Sequence, residues 1–481
     1  MDQRLETLSR WVDPGLSRSG HGGVVIGALV AGGLADLAVR SGGGLSAALL
    51  VLAVAALLLV SGKPSSRQSR ALIGAAPVFG VFLALRSSPW LVPLDVFAAG
   101  GLLGLGASLA RGGSILDLPL SGLLARAVHA TVHGVAAPAF AAQGLPWAAR
   151  RRSAILRGLG LALPLLLILG ALLASADVLF AHVFDFVPGI NDSIAHAVLV
   201  GLGAWGMAGL LRVAAATPPA SAPQRFPLLG AVEATVVLAS VTVLFAGFAV
   251  TQVVALAGGG HHVVETAGLT YAEYARSGFF QLVAVAAITL AVLLAVDVFT
   301  DASEGPSRRR IVRLSEACVG LTLVVVVCAL RRLDLYENAY GLTMLRLYAA
   351  VFAGWIGVSL VLLGWWVHKR RDRAWFPAAA VGAGLAALLA LNLINPEAMV
   401  VRRNVTLAER ADRFDPGYLI DLSDDAVPAI VRALPRLPAV LSANVVAGIC
   451  SRPPRPTEGW AAWNAATRAA DDSRRRVCPA P

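Results

Sequence analysis

Charged residues are scarce in this chain. Only 14% of its 481 residues are Asp, Glu, Lys or Arg, whereas soluble proteins contain about a quarter. Hydrophobic residues make up 57% of the chain, and the mean hydropathy is +0.72. This amount of apolar surface exceeds what a soluble core can bury. The composition therefore excludes soluble, disordered and disulfide-rich secreted proteins.

The chain also lacks the short motifs that mark common active sites. It has no Gly-Lys-Ser phosphate loop, no nucleophile elbow and no CxxC pair. His129 and His133 have the i,i+4 spacing of a zinc-protease helix, but the Glu that must follow the first His is missing. His261, His262 and Glu265 match no established zinc spacing. The sequence therefore predicts no metal, no cofactor and no catalytic residue.

Carboxylates are missing from the middle of the predicted membrane spans. Asp36, Asp95, Glu233, Asp297 and Glu316 all fall near the ends of apolar runs. Ion- and proton-coupled transporters place carboxylates or broken polar helices near the bilayer midplane. A coupled transporter is therefore less expected than a protein whose helices pack through small residues.

Eleven apolar runs have about the 20 residues that a helix needs to cross a bilayer. They are residues 23–40, 45–62, 70–86, 90–110, 154–176, 195–215, 231–257, 274–299, 313–332, 343–367 and 375–394. The sequence thus predicts an all-α integral membrane protein with about eleven transmembrane helices and a small extracytoplasmic C-terminal helical domain.

Basic residues alternate between the predicted loops. With the N-terminus in the cytoplasm, about 22 of the 40 Lys and Arg residues lie in cytoplasmic segments, and only about six lie in the short outer loops. This is the positive-inside distribution of a multi-pass inner (plasma) membrane protein with an extracytoplasmic C-terminus. The net charge of +11 follows from this topology. No basic stretch is interleaved with stacking aromatics, so nucleic acid is not an expected partner.

The predicted domains follow from the spans. They are a cytoplasmic N-terminal head at 1–22, transmembrane helices 1–4 at 23–110, a cytoplasmic or interfacial amphipathic segment at 111–153, transmembrane helices 5–11 at 154–394, and the extracytoplasmic C-terminal domain at 395–481.

Several features are expected within residues 395–481. Asn395 is placed to cap a helix that begins at Pro396 and runs to about residue 411. A second helix is expected near Ser423, and a last short helix is expected to carry two tryptophans, at 460 and 463. Cys450 and Cys478 both lie here, where an oxidising compartment permits a disulfide.

The densest polar material lies at the outer ends of the eighth to tenth predicted spans. The residues of this candidate outer polar cluster are Tyr271, Glu273, Tyr274, Arg276, Arg331, Arg332, Asp334, Tyr336, Glu337, Asn338, Tyr340 and Arg346. Two interpretations stay open. The charges tie helix ends together and the tyrosines form an interfacial belt, or the cluster is a binding or catalytic site open to the outside.

Three stretches occur in a recognisable order: YAEYARSGFF at 271–280, YENAYGLTMLRLY at 336–348 and DPGYLIDLSDDAVPAI at 415–430. Together they resemble a bacterial polytopic membrane family of unknown function, the domain of unknown function 4153/4173. The resemblance covers roughly residues 230–435. It implies a multi-pass inner-membrane protein and supplies no catalytic residues.

These observations rank three functional classes. The first is a non-enzymatic membrane scaffold or a sensory or regulatory component with an outer recognition surface. The alternative is a transporter or channel for a small solute, and the third is a membrane-embedded enzyme acting at the outer leaflet. The expected partners are the lipid bilayer and another membrane or extracytoplasmic protein.

Overall fold

A computed structural model describes residues 21–137, 190–217, 228–257, 278–300, 305–369, 374–409, 415–452 and 459–478, together with residues 158 and 162. The chain divides into two compact units. Unit 1 comprises Met1–Ile115, Leu123–Ala220 and Pro454–Arg468. Unit 2 comprises Leu116–Gly122, Ser221–Pro453 and Ala469–Pro481.

The described residues are almost entirely helical. The α-helices, numbered in chain order, are α1 (His21–Arg40), α2 (Leu45–Ser61), α3 (Arg67–Leu85), α4 (Val92–Ser108), α5 (Leu120–Val135), α6 (Ile190–Ala215), α7 (Ala231–Ala257), α8 (Phe279–Phe299), α9 (Pro306–Tyr340), α10 (Met344–His368), α11 (Phe376–Ile394), α12 (Pro396–Ala408), α13 (Pro416–Asp421), α14 (Val427–Ala433), α15 (Ala439–Cys450) and α16 (Ala465–Val477).

Seven helices of the described residues are long and apolar enough to cross a membrane. They are Arg67–Leu85, Ala195–Ala215, Ala231–Val253, Phe279–Phe299, Pro306–Asn338, Met344–His368 and Phe376–Ile394. The predicted spans 45–62 and 90–110 correspond to shorter apolar helices, α2 and α4, of 17 residues each. The predicted span 154–176 lies outside the described residues, apart from 158 and 162. The all-α membrane class is confirmed at this coarser level.

Helix α9 is much longer than its predicted span of 313–332. It has 35 residues, which corresponds to roughly 50 Å at 1.5 Å per residue, more than the ~30 Å of a bilayer's hydrocarbon core. Prediction stopped at Arg331 and Arg332 because charged residues lower the hydropathy there. Their backbone nonetheless continues as helix to Tyr340. The polar stretch expected to be a loop therefore forms the last turns of α9.

In unit 1, helices α1 and α6 pack closely. A Cβ at Gly203 would lie 2.6 Å from the Cβ of Ala35, so only glycine permits this approach. Asp36 Oδ2 lies 2.7 Å from Nδ1 of His196. Asp36 and Arg40 of α1 therefore both reach across to α6, Arg40 to Asp192 at 3.9 Å.

Helix α5 lies within the segment predicted to be amphipathic. Its exposed face is apolar, with Leu124, Val128 and Val132 each more than half exposed. Arg126 and His129 are buried on its other face. This arrangement reverses that of a helix on a soluble surface. It suits a helix whose outer face contacts lipid.

A short C-terminal segment closes helix ends in unit 1. The backbone N–H groups of Leu45 and Ser46, in the first turn of α2, donate to the carbonyls of Trp463 (2.9 Å) and Ala461 (3.1 Å). The Asn464 side chain donates to the carbonyls of Leu83 and Arg86, at the end of α3. Backbone groups at helix termini otherwise lack partners. The tryptophans at 460 and 463 were expected on a helix, but both precede α16, which begins at Ala465.

Unit 2 has two apolar clusters. The larger cluster contains residues of all five helices from α7 through α11, among them Leu238, Phe279, Ile356 and Leu360. The second joins the start of α10 to the C-terminal helices; its buried members include Leu342, Met344, Val400, Val401, Leu419, Ile430, Val445 and Ile449. This cluster and the helices α12–α15 that surround it are called the C-terminal module below.

The beginning of α12 is as expected. Asn395 adopts a left-handed conformation (φ 57°, ψ 88°), its side chain accepts from Ala398 N–H at 3.1 Å, and Pro396 occupies the first helical position. The second predicted helix begins at Val427 rather than at Ser423, because Ser423 binds Glu397 and its hydroxyl also accepts from Asp425 N–H in a turn.

Gly44→Ala should detach the C-terminal segment from the start of α2. Gly44 has φ +73°, and a Cβ there would lie 2.6 Å from the Trp463 carbonyl oxygen. A left-handed non-glycine residue costs about 1–2 kcal/mol before that clash is counted. We expect the substitution to lower the thermal unfolding temperature of the purified protein. Gly33→Ala, at an open position in α1, is the matched control. Equal unfolding temperatures for the two variants would contradict this account.

Candidate functional site

The outer polar cluster is only partly described. Tyr271, Glu273, Tyr274 and Arg276 lie outside the described residues, so their meeting with the α9 end stays a prediction. The other eight residues lie on α9 and at the start of α10.

Arg346 organises the end of α9. Its guanidinium lies 4.0 Å from the centre of the Tyr336 ring and donates to the carbonyls of Tyr340 and Gly341. The rings of Tyr336 and Tyr340 are 5.1 Å apart, edge to face. The cation neutralises the carbonyl end of the helix and stacks on an aromatic face, as arginine often does. Three predicted cluster residues are therefore brought together by a helix cap.

The remaining described residues of the cluster are spread around this cap. The Asn338 side chain accepts a hydrogen bond from Arg403 at 2.8 Å. The positive charges of Arg346 and Arg403 attract the Glu337 carboxylate. Arg332 lies against Gly278 at the start of α8. Arg331 and Asp334 are exposed on the surface of α9. Arg332, Asn338 and Arg346 thus contact three different places: the start of α8, the α12 helix and the end of α9.

The turn between α9 and α10 is held by Asn404 of α12. Its Oδ1 accepts from Leu342 N–H at 2.7 Å, and its Nδ2 donates to the Leu342 carbonyl at 2.8 Å. Gly341 lies beside it with φ +80°, and a Cβ there would lie 2.8 Å from Asn404 Oδ1. One amide side chain therefore satisfies both backbone groups of a residue that has left the helix.

Tyr418 of α13 holds the next residues of the same turn. Its hydroxyl accepts from Met344 N–H at 2.6 Å, in the first turn of α10. Burial raises the pKa of the Tyr418 hydroxyl, so the group stays protonated at neutral pH. Asp415 caps α13 by accepting from Tyr418 N–H at 3.2 Å, which fixes the ring's position.

Buried carboxylates hold the turn between α13 and α14. Glu397 is 1% exposed, and its Oε2 accepts from both the N–H and the hydroxyl of Ser423 at 2.7 Å. Asp424 pairs with Arg474 of α16 at 2.7 Å, and both side chains are largely buried. Asn395 Nδ2 donates to the Asp425 carbonyl at 3.0 Å. The Glu397 carboxylate is thus offset by two hydrogen bonds and the Asp424 carboxylate by an ion pair, the kinds of contact that a buried charge requires.

A disulfide closes the module. Cys450, the last residue of α15, is bonded to Cys478 with the Cα atoms 5.7 Å apart. This link lies in the same unit as the Asp424–Arg474 pair, so the last residues of the chain have one covalent and one ionic attachment there. In the part of the chain that the structure describes, no group of three His, Cys, Asp or Glu residues could hold a metal ion.

A separate basic cluster lies in unit 1. Arg126 donates to carbonyls of Ser108 and Gly112 at the end of α4, and Arg212 donates to the Ala136 carbonyl at the end of α5. The rings of His129 and His133 are 4.2 Å apart. Burial, then the charges of His129 and Arg212, lowers the pKa of His133 to about 4. The imidazole is therefore neutral near pH 7, and the two arginines act as helix caps.

Comparison with known proteins places the chain in a family. The profile described as "Domain of unknown function (DUF4153)" matches residues 73–433, which is most of the chain. The protein belongs to the DUF4153 family. The match begins at residue 73, so the resemblance to this family reaches well upstream of residue 230, where the sequence motifs had placed its start. No curated protein and no solved structure matches the chain.

The motif stretches of this DUF4153 protein have structural roles where they are described. YENAYGLTMLRLY forms the end of α9, the turn and the start of α10, and DPGYLIDLSDDAVPAI forms α13, the following turn and the start of α14. Tyr418 joins the two stretches through its bond to Met344. The second and third motif stretches are therefore the two sides of one backbone junction.

The sequence analysis did not identify the α12 residues that contact this junction. Glu397, Arg403 and Asn404 follow the predicted Asn395-Pro396 cap on a helix of ordinary polar composition, and no motif distinguishes them. The one available signal was the motif tyrosine at 418. Its position in an otherwise apolar run predicts a buried hydroxyl that needs a partner.

Replacing Asn404 tests the junction in this DUF4153 protein. Asn404→Ala leaves the N–H and carbonyl of Leu342 without partners, and each such loss costs about 1–3 kcal/mol. The free energy of unfolding, from denaturant titration in detergent, should fall accordingly. Asn338→Ala removes one exposed hydrogen bond to Arg403 and should cost below about 1 kcal/mol. If both variants unfolded at the same denaturant concentration, Asn404 would not hold the turn.

Proposed function

We propose that this protein is a non-enzymatic, multi-pass component of the bacterial plasma membrane that presents its C-terminal module outside the cytoplasm as a recognition surface. The main support is that the polar side chains around the module form hydrogen bonds with backbone groups of its turns. Arg346, Asn404, Tyr418 and Glu397 each bind backbone groups of a turn. A rigid platform needs such contacts, whereas a catalytic centre needs polar groups that face a substrate.

Helix directions support the orientation. The end of α9, the start of α10 and the end of α11 all meet the C-terminal module. The opposite ends of α9 and α10 carry Arg308–Arg310 and Lys369. Basic residues favour the cytoplasmic side, so the module would lie on the other side, where the Cys450–Cys478 disulfide is stable.

One cavity of unit 1 favours this function over solute transport. One of about 350 Å³ lies between α4, α5 and α6 and is lined by apolar side chains and glycines, among them Gly104, Val135 and Trp205. A path for a polar solute requires polar groups along its walls. The count of eleven spans, in which α1, α2, α4 and residues 154–176 cross the bilayer in addition to the seven helices given above, is part of the proposal.

Orientation can be tested with reporters and thiol reagents. A reporter active only outside the cytoplasm should give signal when fused after residue 395 and none after residue 305. In intact cells, a membrane-impermeant maleimide should label the full-length protein only after an impermeant reductant has opened the Cys450–Cys478 bond. The double variant Cys450→Ser, Cys478→Ser is the control and should stay unlabelled. The reverse reporter pattern would overturn the orientation.

The recognition role needs its own test. Val440 of α15 is 74% exposed on the module, and Leu52 of α2 is 52% exposed on a span. A photo-crosslinking amino acid at 440 should give one discrete protein adduct in cells, because large exposed apolar groups mark contact surfaces. The same group at 52 should give lipid adducts. Protein adducts at 52 and none at 440 would contradict a recognition surface on the module.

A further inference from the structure

A pocket of about 580 Å³ lies in unit 1 where the C-terminal segment meets α2. It is lined by Leu45, Gly459, Trp460, Trp463 and Arg468. Two indoles and a guanidinium thus surround one opening.

The pocket is held in shape by the backbone. Leu45 N–H donates to the Trp463 carbonyl at 2.9 Å, and Ser46 N–H donates to the Ala461 carbonyl at 3.1 Å. Asn464 is 9% exposed and accepts from the N–H groups of Ala466 and Thr467, so it begins the helix that carries Arg468. Both tryptophans and the arginine are therefore presented by fixed main chain, which lowers the ordering cost of binding.

The functional groups of the pocket remain available. Trp460 is 60% exposed, an unusual state for the largest apolar side chain. Arg468 is exposed, and its guanidinium makes no hydrogen bond or ion pair with the residues that the structure describes. A guanidinium binds phosphate oxygens in bidentate fashion, and an indole covers carbon-rich surface while its N–H reaches a polar group.

The position of the pocket at the ends of apolar helices indicates which phosphate compound binds there. Leu45 is the first residue of the apolar helix α2, and Asn464 binds carbonyls at the end of α3, a candidate span. Where apolar helices end, phospholipid headgroups begin, and Trp and Arg are favoured at that level. We propose that this pocket binds the phosphate headgroup of an anionic phospholipid, with Arg468 on the phosphate and the indoles of Trp460 and Trp463 against the glycerol.

Lipid titration with native mass spectrometry tests the site. The full-length protein in detergent is titrated with phosphatidylglycerol and, separately, with phosphatidylcholine of the same acyl chains. Arg468→Gln should weaken phosphatidylglycerol binding about 10-fold, the effect of losing one charge-assisted contact. Trp460→Ala should weaken it several-fold. Both side chains are exposed, so the thermal unfolding temperature should not change.

Matched controls separate a site from general lipid association. Arg476→Gln removes the same charge from an exposed position of the same helix, and Trp365→Ala removes an indole that is 54% exposed on α10. Neither should change phosphatidylglycerol binding. If Arg476→Gln weakens binding as much as Arg468→Gln, or if phosphatidylcholine binds as tightly as phosphatidylglycerol, the proposal is overturned. Displacement of the lipid by equimolar glycerol phosphate would assign the pocket to a soluble phosphate and would also overturn it.

Discussion

Every helix ends with backbone N–H or C=O groups that have no partner within the helix. Where a helix ends near lipid, water is scarce and the protein itself must supply those partners. Most polar contacts described in this protein answer that constraint. Asn404 and Tyr418 serve the turn between α9 and α10. Asn464 and Arg126 serve the ends of α3 and α4. Among the charged residues, Arg126 and Arg346 are placed where a helix stops.

The same constraint shapes the functional conclusion. A polar side chain that donates to a carbonyl of its own fold is occupied by that contact, so the described part of the outer cluster stabilises the end of α9 and the start of α10. Arg346 illustrates this. Its position over Tyr336 resembles a ligand-binding cation, yet its N–H groups are directed at Tyr340 and Gly341. The proposed recognition role would therefore use exposed groups, such as Val440 and Trp460.

Sequence patterns predicted the helices better than their ends. Apolar runs identified α7, α10 and α11 because hydropathy reports directly on lipid exposure. The same measure ended α9 too early, since it reads Arg331–Arg332 as a loop although the backbone there stays helical. The cap at Asn395 was predictable because its signal is local. Asn404 was not, because its partner Leu342 is 62 residues away, and a long-range hydrogen bond leaves no local pattern.

The apolar core of the C-terminal module also includes residues that precede residue 395. Its core contains Leu342 and Met344 from the α9–α10 turn beside Val400 and Ile430. Residues 395–481 alone would therefore lose part of their apolar core together with the partners of Asn404 and Tyr418. A small helical segment of this kind depends on additional ties, and the Cys450–Cys478 disulfide supplies one. The module is thus packed onto the α9–α10 turn, which fixes the position of its surface within unit 2.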